Sequence, residues 1–385
     1  MLHTPFGLKF FDYVAKTRIA RAYARANTYL MPVITAIMLF FLVLAISNMI
    51  SSVSVREDLR ELGPRANLLI PVINPLLPIT YTLVALVISV FIHEAGHGIV
   101  ARVYGLKVDS TGIAFILFIP VGAFVNLDRD ELNKATLKQK SAVLTAGPLN
   151  NMILAGISFA LLFVVLSSLT PISTDDTSNS GIELITVTKG SLAERIGLTE
   201  GSKILSIGQT DISSQSDLTQ ILRSNIGKQL PIMWQDKNGV QRSNTFSIPP
   251  DADPNKPILG VTAASADPIA ILETYKKHPI LLLQMPTQKS TPFSDYMAPK
   301  YVSNLIGTSS PTIANTLYWL FFINFNLGLF NALPISILDG GQLYGSLIES
   351  RSKIDKNRLN QISSAVSTIT IAIVAMSLLL PYLPF

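Results

Sequence analysis

Long apolar stretches alternate along this chain with short basic clusters, and one stretch in the middle loses that pattern altogether. Residues 31–50 form an apolar run; about 20 such residues are what a helix needs to cross a bilayer, and no small-residue cleavage site follows, so a first span is expected rather than a cleaved leader. Further spans are predicted over about residues 79–104, 142–169, 311–333 and 362–382. Between the second and third lie residues 108–127, apolar but interrupted by Gly112, Pro120 and Gly122. That composition suits a short hairpin or re-entrant element buried against protein, from Gly112 to Asn126, better than a helix. Past Pro171 the pattern turns soluble: strands near 182–187 and 204–207, helices near 191–196 and 216–223, and a hairpin signal from Trp234 to Gly239. Such a unit, about 90 residues of α+β structure, is large enough to fold alone.

The expected fold class is therefore an α-helical multi-pass membrane protein of five or six spans with an inserted small α+β domain. Residues 1–76 hold a cytoplasmic N-terminal segment, the first span and an external loop, and residues 77–171 the first half of a membrane core. Residues 172–264 are the inserted domain, 265–310 a linker with an interfacial helix over 269–285, and 311–385 the second half of the core with a C-terminal span. Only 14% of the 385 residues are charged and 49% are hydrophobic, against about 25% charged in soluble domains. A soluble protein is thereby disfavoured. The net charge of +5 comes without a dense Lys/Arg block, so no nucleic-acid partner is expected. Lys9, Lys16, Arg18, Arg21 and Arg25 precede the first span, which places the N-terminus in the cytoplasm and the inserted domain on the outer side, in a cell membrane. With no cysteine in the chain, thiolate nucleophiles and Cys-based metal sites are excluded, and any metal must be held by His, Asp or Glu.

Two of the four histidines stand in His93-Glu94-Ala95-Gly96-His97. On a helix, positions i and i+4 project from one face, so both imidazoles reach one zinc ion while Glu94 stands beside a metal-bound water. The plainer alternative is a pair of satisfied core histidines, but ionisable groups inside a span are costly and tend to be functional. A catalytic zinc takes three protein ligands. Asp339 stands out as the third, because Pro334 and Gly340-Gly341 break the helix around it and let a carboxylate turn back into the bundle; its alternative is a helix N-cap at the interface. Asp128, Asp130 and Glu131 read as ordinary solvated loop beside three lysines, and His3 and His278 as structural.

The HExxH pattern inside a span, Gly147-Pro148 with Asn151 in the next, and Asn331-x-x-Pro334-x-x-x-Leu338-Asp339-Gly340 in a later one together resemble the site-2 protease family of intramembrane zinc metalloproteases. The resemblance covers about residues 77–170 and 311–350. It implies one Zn2+ per chain on His93, His97 and Asp339, Glu94 as catalytic base and Asn331 beside the substrate carbonyl. The implied activity is hydrolysis of peptide bonds within or next to transmembrane segments of membrane proteins, with the lipid bilayer as surroundings. Residues 190–198 and 201–207 further resemble the helix, turn and strand of a PDZ domain, which many family members insert, although Gly201-Ser202-Lys203 replaces the usual Gly-Asp. A peptide ligand of this domain is expected on the same ground, and a spacer that binds no peptide is the alternative. A membrane transporter or sensor that carries zinc on the same His and Asp residues, with no role for Glu94, is the competing reading. No internal repeat supports it. An inactive scaffold built on the PDZ-like module is a third.

Overall fold

A computed structural model describes the chain apart from residues 1, 5, 53–54, 57–58, 61–62, 68–69, 71–72, 75, 117–118, 173–180, 213–214, 254–256, 265–267, 284–290, 295–296, 352–354 and 384–385. The chain opens with β1 (Leu2–Thr4), α1 (Phe6–Ala15), α2 (Arg18–Asn27), α3 (Met31–Ser51) and α4 (Ile79–Val103). A hairpin of β2 (Val108–Ile116) and β3 (Ile119–Leu127) leads through α5 (Arg129–Lys134) into α6 (Leu137–Ser167). Then come β4 (Leu169–Pro171), β5 (Ile182–Val187), α7 (Leu192–Ile196), β6 (Lys203–Ile207), β7 (Thr210–Asp211), α8 (Gln215–Ser224), β8 (Gln229–Gln235), β9 (Gln241–Ser247) and β10 (Val261–Ala264). The last part holds α9 (Pro268–Lys277), β11 (Tyr301–Ser303), α10 (Ser310–Asn331), α11 (Asp339–Arg351) and α12 (Lys356–Leu379). Among the described residues five helices are long and apolar enough to cross a membrane, namely α3, α4, α6, α10 and the stretch Asn357–Tyr382. Two compact units divide the chain, one of Met1–Val164 with Ile313–Phe385, the other of Val165–Thr312.

In the first unit α4 is built with its small and polar side inward. On α4 the buried positions Thr82, Ala85, Ser89, His93, His97 and Val100 follow one another every three or four residues, while Ile79, Val84, Ile88 and Phe91 stay exposed. Lipid is as apolar as leucine, so small and polar residues hold such helices together while the large apolar ones face the chains. The crossing of α4 and α6 is close: a Cβ on Gly96 would lie 2.6 Å from the Ala146 carbonyl oxygen. Helix α6 starts at Leu137, before the predicted 142, and runs through Pro148 without ending. Neighbouring helices satisfy freed backbone groups at such breaks, which a soluble helix could not rely on.

The hairpin expected over 112–126 is present as β2–β3, with Thr111 opposite Val125 and Ala114 opposite Gly122. The N-terminal segment supplies an element with no sequence signal: β1 pairs with β2, Thr4 opposite Thr111. The strand order β1-β2-β3 leaves β1 and β3 as the outer strands of this sheet. Of the 269–285 stretch, the part up to Lys277 is an α-helix and a short 3-10 turn over Pro279–Leu283 follows, while residues 284–285 lie outside the described residues. Proline cannot continue the i−4 bonding, which explains the stop.

The second unit carries an antiparallel sheet in the order β10-β5-β6-β8-β9, with β7 on β6. Ile182 and Leu184 of β5, Ile232 and Trp234 of β8, and Ile204 and Ile207 of β6, on either side of a register shift, bury their side chains against Ala193 of α7 and Leu218 and Leu222 of α8. Ser191 caps α7 by accepting from the Glu194 amide, and Glu194 reaches back to accept from the Gly190 amide at 2.6 Å, so one orphan donor of the first turn and the amide just ahead of the cap are both satisfied. Gly197 ends that helix with φ 94°, a left-handed value that favours glycine.

Candidate metal centre

Helix α4 presents His93 and His97 one turn apart on its buried face, as i and i+4 positions must be. After α10 ends at Asn331, the chain reverses within a few residues and starts α11 at Asp339. Gly340 and Gly341 pack directly against the carbonyls of Ala332 and Ile335, where a side chain would collide with backbone. The Thr35 hydroxyl of α3 donates to the Ala332 carbonyl at 2.8 Å, and the Tyr344 hydroxyl of α11 donates to Thr35 at 2.7 Å. Ser367 of α12 accepts from the Ser336 amide at 2.9 Å. The reversal is thus held from three helices, and it aims the Asp339 carboxylate at the imidazole pair.

Asp339 Oδ2 lies 3.1 Å from His93 Nε2 and 3.4 Å from His97 Nε2, and the two Nε2 atoms are 3.1 Å apart. Zinc bonds of about 2.0–2.2 Å in a tetrahedron set ligand atoms about 3.3–3.6 Å from one another, so this triangle, with edges of 3.1–3.4 Å, comes within about 0.2 Å of a zinc site. Tautomers agree with that use. His97 Nδ1 lies 2.8 Å from the Val143 carbonyl oxygen; a carbonyl only accepts, so Nδ1 carries the proton and Nε2 keeps its lone pair. Asn151 Nδ2 stands 3.1 Å from His93 Nδ1, and its Oδ1 is buried with no hydrogen bond. A half-turn about its terminal torsion exchanges its two ends; Oδ1 then accepts from Nδ1–H, and His93 Nε2 is also free to ligate. Asp339 Oδ2 is buried and receives no hydrogen bond either. Three lone pairs facing one another at this range repel unless a proton or a metal cation sits between them. Among the described residues these three form the group able to hold a metal ion.

Gly147 of α6 completes the site by what it lacks. A Cβ there would lie 2.6 Å from His93 Nε2 and closer still to His97 Nε2, inside the space the ion needs. The glycine is readable in the sequence, but its neighbours are not, because only the α4–α6 crossing brings it to the histidines.

Glu94 is half-buried on α4, and its Oε2 accepts from the Val125 amide of β3 at 2.8 Å. Among the described residues its Oε1 makes no hydrogen bond. Asn331 donates from Nδ2 to the Leu327 carbonyl at 3.0 Å, so its amide is turned onto its own helix. Asp128 caps α5, accepting from the amides of Asp130 and Glu131 at 3.0 Å, and Glu131 accepts from the Lys107 amide at 2.6 Å. The side chain of His3 lies outside the described residues, and His278 is exposed at the end of α9. Unforeseen in the sequence is Tyr23 of α2, whose hydroxyl donates to Asn150 Oδ1, while Asn150 Nδ2 donates to the Ile92 carbonyl at 2.9 Å, next to His93. Burial pushes the Tyr23 phenol up to about 12, so it remains a neutral donor at physiological pH.

A family model described as Peptidase family M50 matches residues 81–374 of the chain. Two relatives illustrate the likeness. An uncharacterised protein of Methanocaldococcus jannaschii is 26% identical over 369 residues, which cover 96% of this chain and 82% of that one. A protein of Clostridium acetobutylicum that carries the name "Putative zinc metalloprotease" is 23% identical over 326 residues, 74% of this chain and 91% of its own.

Proposed function

The chain belongs to peptidase family M50, the site-2 protease family, as an integral multi-pass membrane zinc metalloprotease, and from that membership we propose that His93, His97 and Asp339 hold the zinc ion, with Glu94 as general base, for endoproteolysis within or next to transmembrane segments. The observation that carries this reading is the meeting of two Nε2 atoms and one carboxylate oxygen, from α4 and from the turn after α10, at 3.1–3.4 Å. Bound zinc supplies two things: a lowered pKa for water and polarisation of the scissile carbonyl.

The protein's own groups do the rest. Glu94 is fixed at Oε2 by the Val125 amide, which leaves Oε1 to take the proton of the attacking water and later give it to the departing amine. Asn331 gives one of its two amide hydrogens to the Leu327 carbonyl, and the second is left for the substrate carbonyl. A helical substrate has its carbonyls engaged and must unwind. An unwound segment can add to β3, an outer strand of the β1-β2-β3 sheet; β2 lies between two neighbours, with β1 paired along Thr111–Ile113. The strand order and short capped helices of the second unit support a PDZ-like domain. There β10 ends the sheet path and presents an edge for an extended peptide. We place the N-terminus in the cytoplasm and this unit on the outer side, from the basic residues ahead of α3.

Protein purified in detergent and assayed on membrane-helix peptides should cleave them with about one zinc per chain bound. A strong chelator should abolish cleavage and added Zn2+ restore it. Zinc without cleavage of any peptide in a broad panel would sink the proteolytic reading. Asn151→Leu should weaken zinc binding about 10- to 100-fold in chelator competition; unchanged affinity would remove Asn151 from the site.

A further inference from the structure

Helix α2 has two working faces. Ala20, Ala24 and Asn27 are buried, and Tyr23 beside them donates to Asn150 and to the Ala146 carbonyl at 3.3 Å. Asn150 holds the Ile92 carbonyl, and Ala146 precedes Gly147, so this face touches both sides of the metal centre. The neighbouring α1 adds to the brace. Phe11 fills the space above Gly98, Asp12 pairs with Arg102 at 3.2 Å, and Tyr104 donates to the Ala24 carbonyl at 3.3 Å.

The opposite face of α2 carries Arg18, Arg21 and Arg25, all exposed. At 100° per residue they fall within about 60° of arc, a single arginine row. Exposed Ile19, about 100° or more around the helix from that row, and Tyr29, just past the helix, are 82% and 69% accessible. Exposed Lys9 and Lys16 extend the positive charge over α1, while its one acid, Asp12, is paired with Arg102. Met31 begins the apolar helix α3 four residues after α2 ends, which puts the arginine row within a short distance of a membrane surface. Arginine binds phosphate oxygens bidentately, and a basic helix flanked by apolar side chains beside a span lies in the headgroup layer of anionic leaflets.

We propose that α1 and α2 form a strap that binds anionic phospholipid headgroups through Arg18, Arg21 and Arg25, and that Tyr23 passes this contact to the zinc site by holding Asn150 and the Ala146 carbonyl. The proposal deepens the proteolytic reading and rests on α3 being a membrane span and on the His–Asp group holding zinc. Lipid on the outer face reduces the freedom of α2, and the ion then meets an imidazole pair whose helix is already steadied.

The test uses the full chain in nanodiscs of phosphatidylcholine alone or with about one third phosphatidylglycerol. Two readouts need no substrate: hydrogen exchange over residues 18–27 and the rate at which a chelator strips zinc. Phosphatidylglycerol should slow both about tenfold in wild type, and about 0.5 M salt should reverse the gain. The triple variant Arg18→Gln, Arg21→Gln, Arg25→Gln should behave alike in both discs. Tyr23→Phe should keep the lipid-dependent exchange of α2 but lose the lipid dependence of zinc release. An equal response in the triple variant, or none in wild type, overturns the strap; unchanged lipid dependence of zinc release in Tyr23→Phe overturns its coupling to the site. Absence of cleavage in every disc would count against the peptidase reading while leaving both readouts informative.

Discussion

Gly147→Ala is expected to yield a folded protein that no longer holds zinc. The added methyl would stand 2.6 Å from His93 Nε2 and closer to His97 Nε2, where the ion must sit about 2.0–2.1 Å from both. Neither ring can withdraw without cost, because each is held on its far side, His97 by the Val143 carbonyl and His93 by Asn151. Helix formation itself favours alanine over glycine by about 1 kcal/mol, which partly offsets the crowding, so thermal stability without metal should change little. Gly156→Ala is the matched control: it lies on the same helix, and nothing stands within 4 Å of its Cβ position. Elemental analysis should find about one zinc per chain in wild type and Gly156→Ala and less than about a tenth of that in Gly147→Ala. A Gly147→Ala protein with a full complement of zinc would show that the ion lies elsewhere.

Glu94→Gln should have the complementary outcome, zinc retained and cleavage lost. The carboxamide matches the carboxylate in size and can still accept from the Val125 amide, so the geometry of α4 against β3 survives. What disappears is an oxygen able to take a proton. General-base catalysis contributes roughly 100- to 10,000-fold, and the turnover number on a membrane-helix peptide should fall by that factor with zinc content unchanged. Turnover at the wild-type rate would exclude Glu94 as the base. Loss of zinc together with turnover would assign it a structural role, and metal flux retained in Glu94→Gln with no cleavage by either form would favour the transporter reading.

Local pattern was enough for much of the architecture. Apolar runs of about twenty residues can only be satisfied in a bilayer as helices, and the five spanning helices fall within a few residues of where hydropathy puts them. Pro120 and the glycines around it disfavour a helix without reference to anything distant, and the hairpin is there. Three features had no such signal. Strand β1 is three residues long and pairs with β2; α2 is rich in alanine and arginine, and its buried face is set by partners on α4 and α6; and the reach of Tyr23 to Asn150 spans well over a hundred residues. Pairings of that kind depend on which segments the bundle brings together, and no window of sequence contains both partners.

The amino-acid order by itself determined that the chain spans a membrane, that cysteine takes no part in its chemistry, and that two imidazoles one helical turn apart are available to a metal, because hydropathy and helical periodicity act between near neighbours. Only the tertiary structure decided that Asp339 returns to those imidazoles, that Gly147 leaves the space between them clear, that Asn151 and the Val143 carbonyl orient the rings, and that Glu94 is pinned to a strand. Each of these is a contact between segments far apart along the chain, set by the close crossing of α4 and α6 and the reversal after α10, and such contacts exist only once the helices have packed.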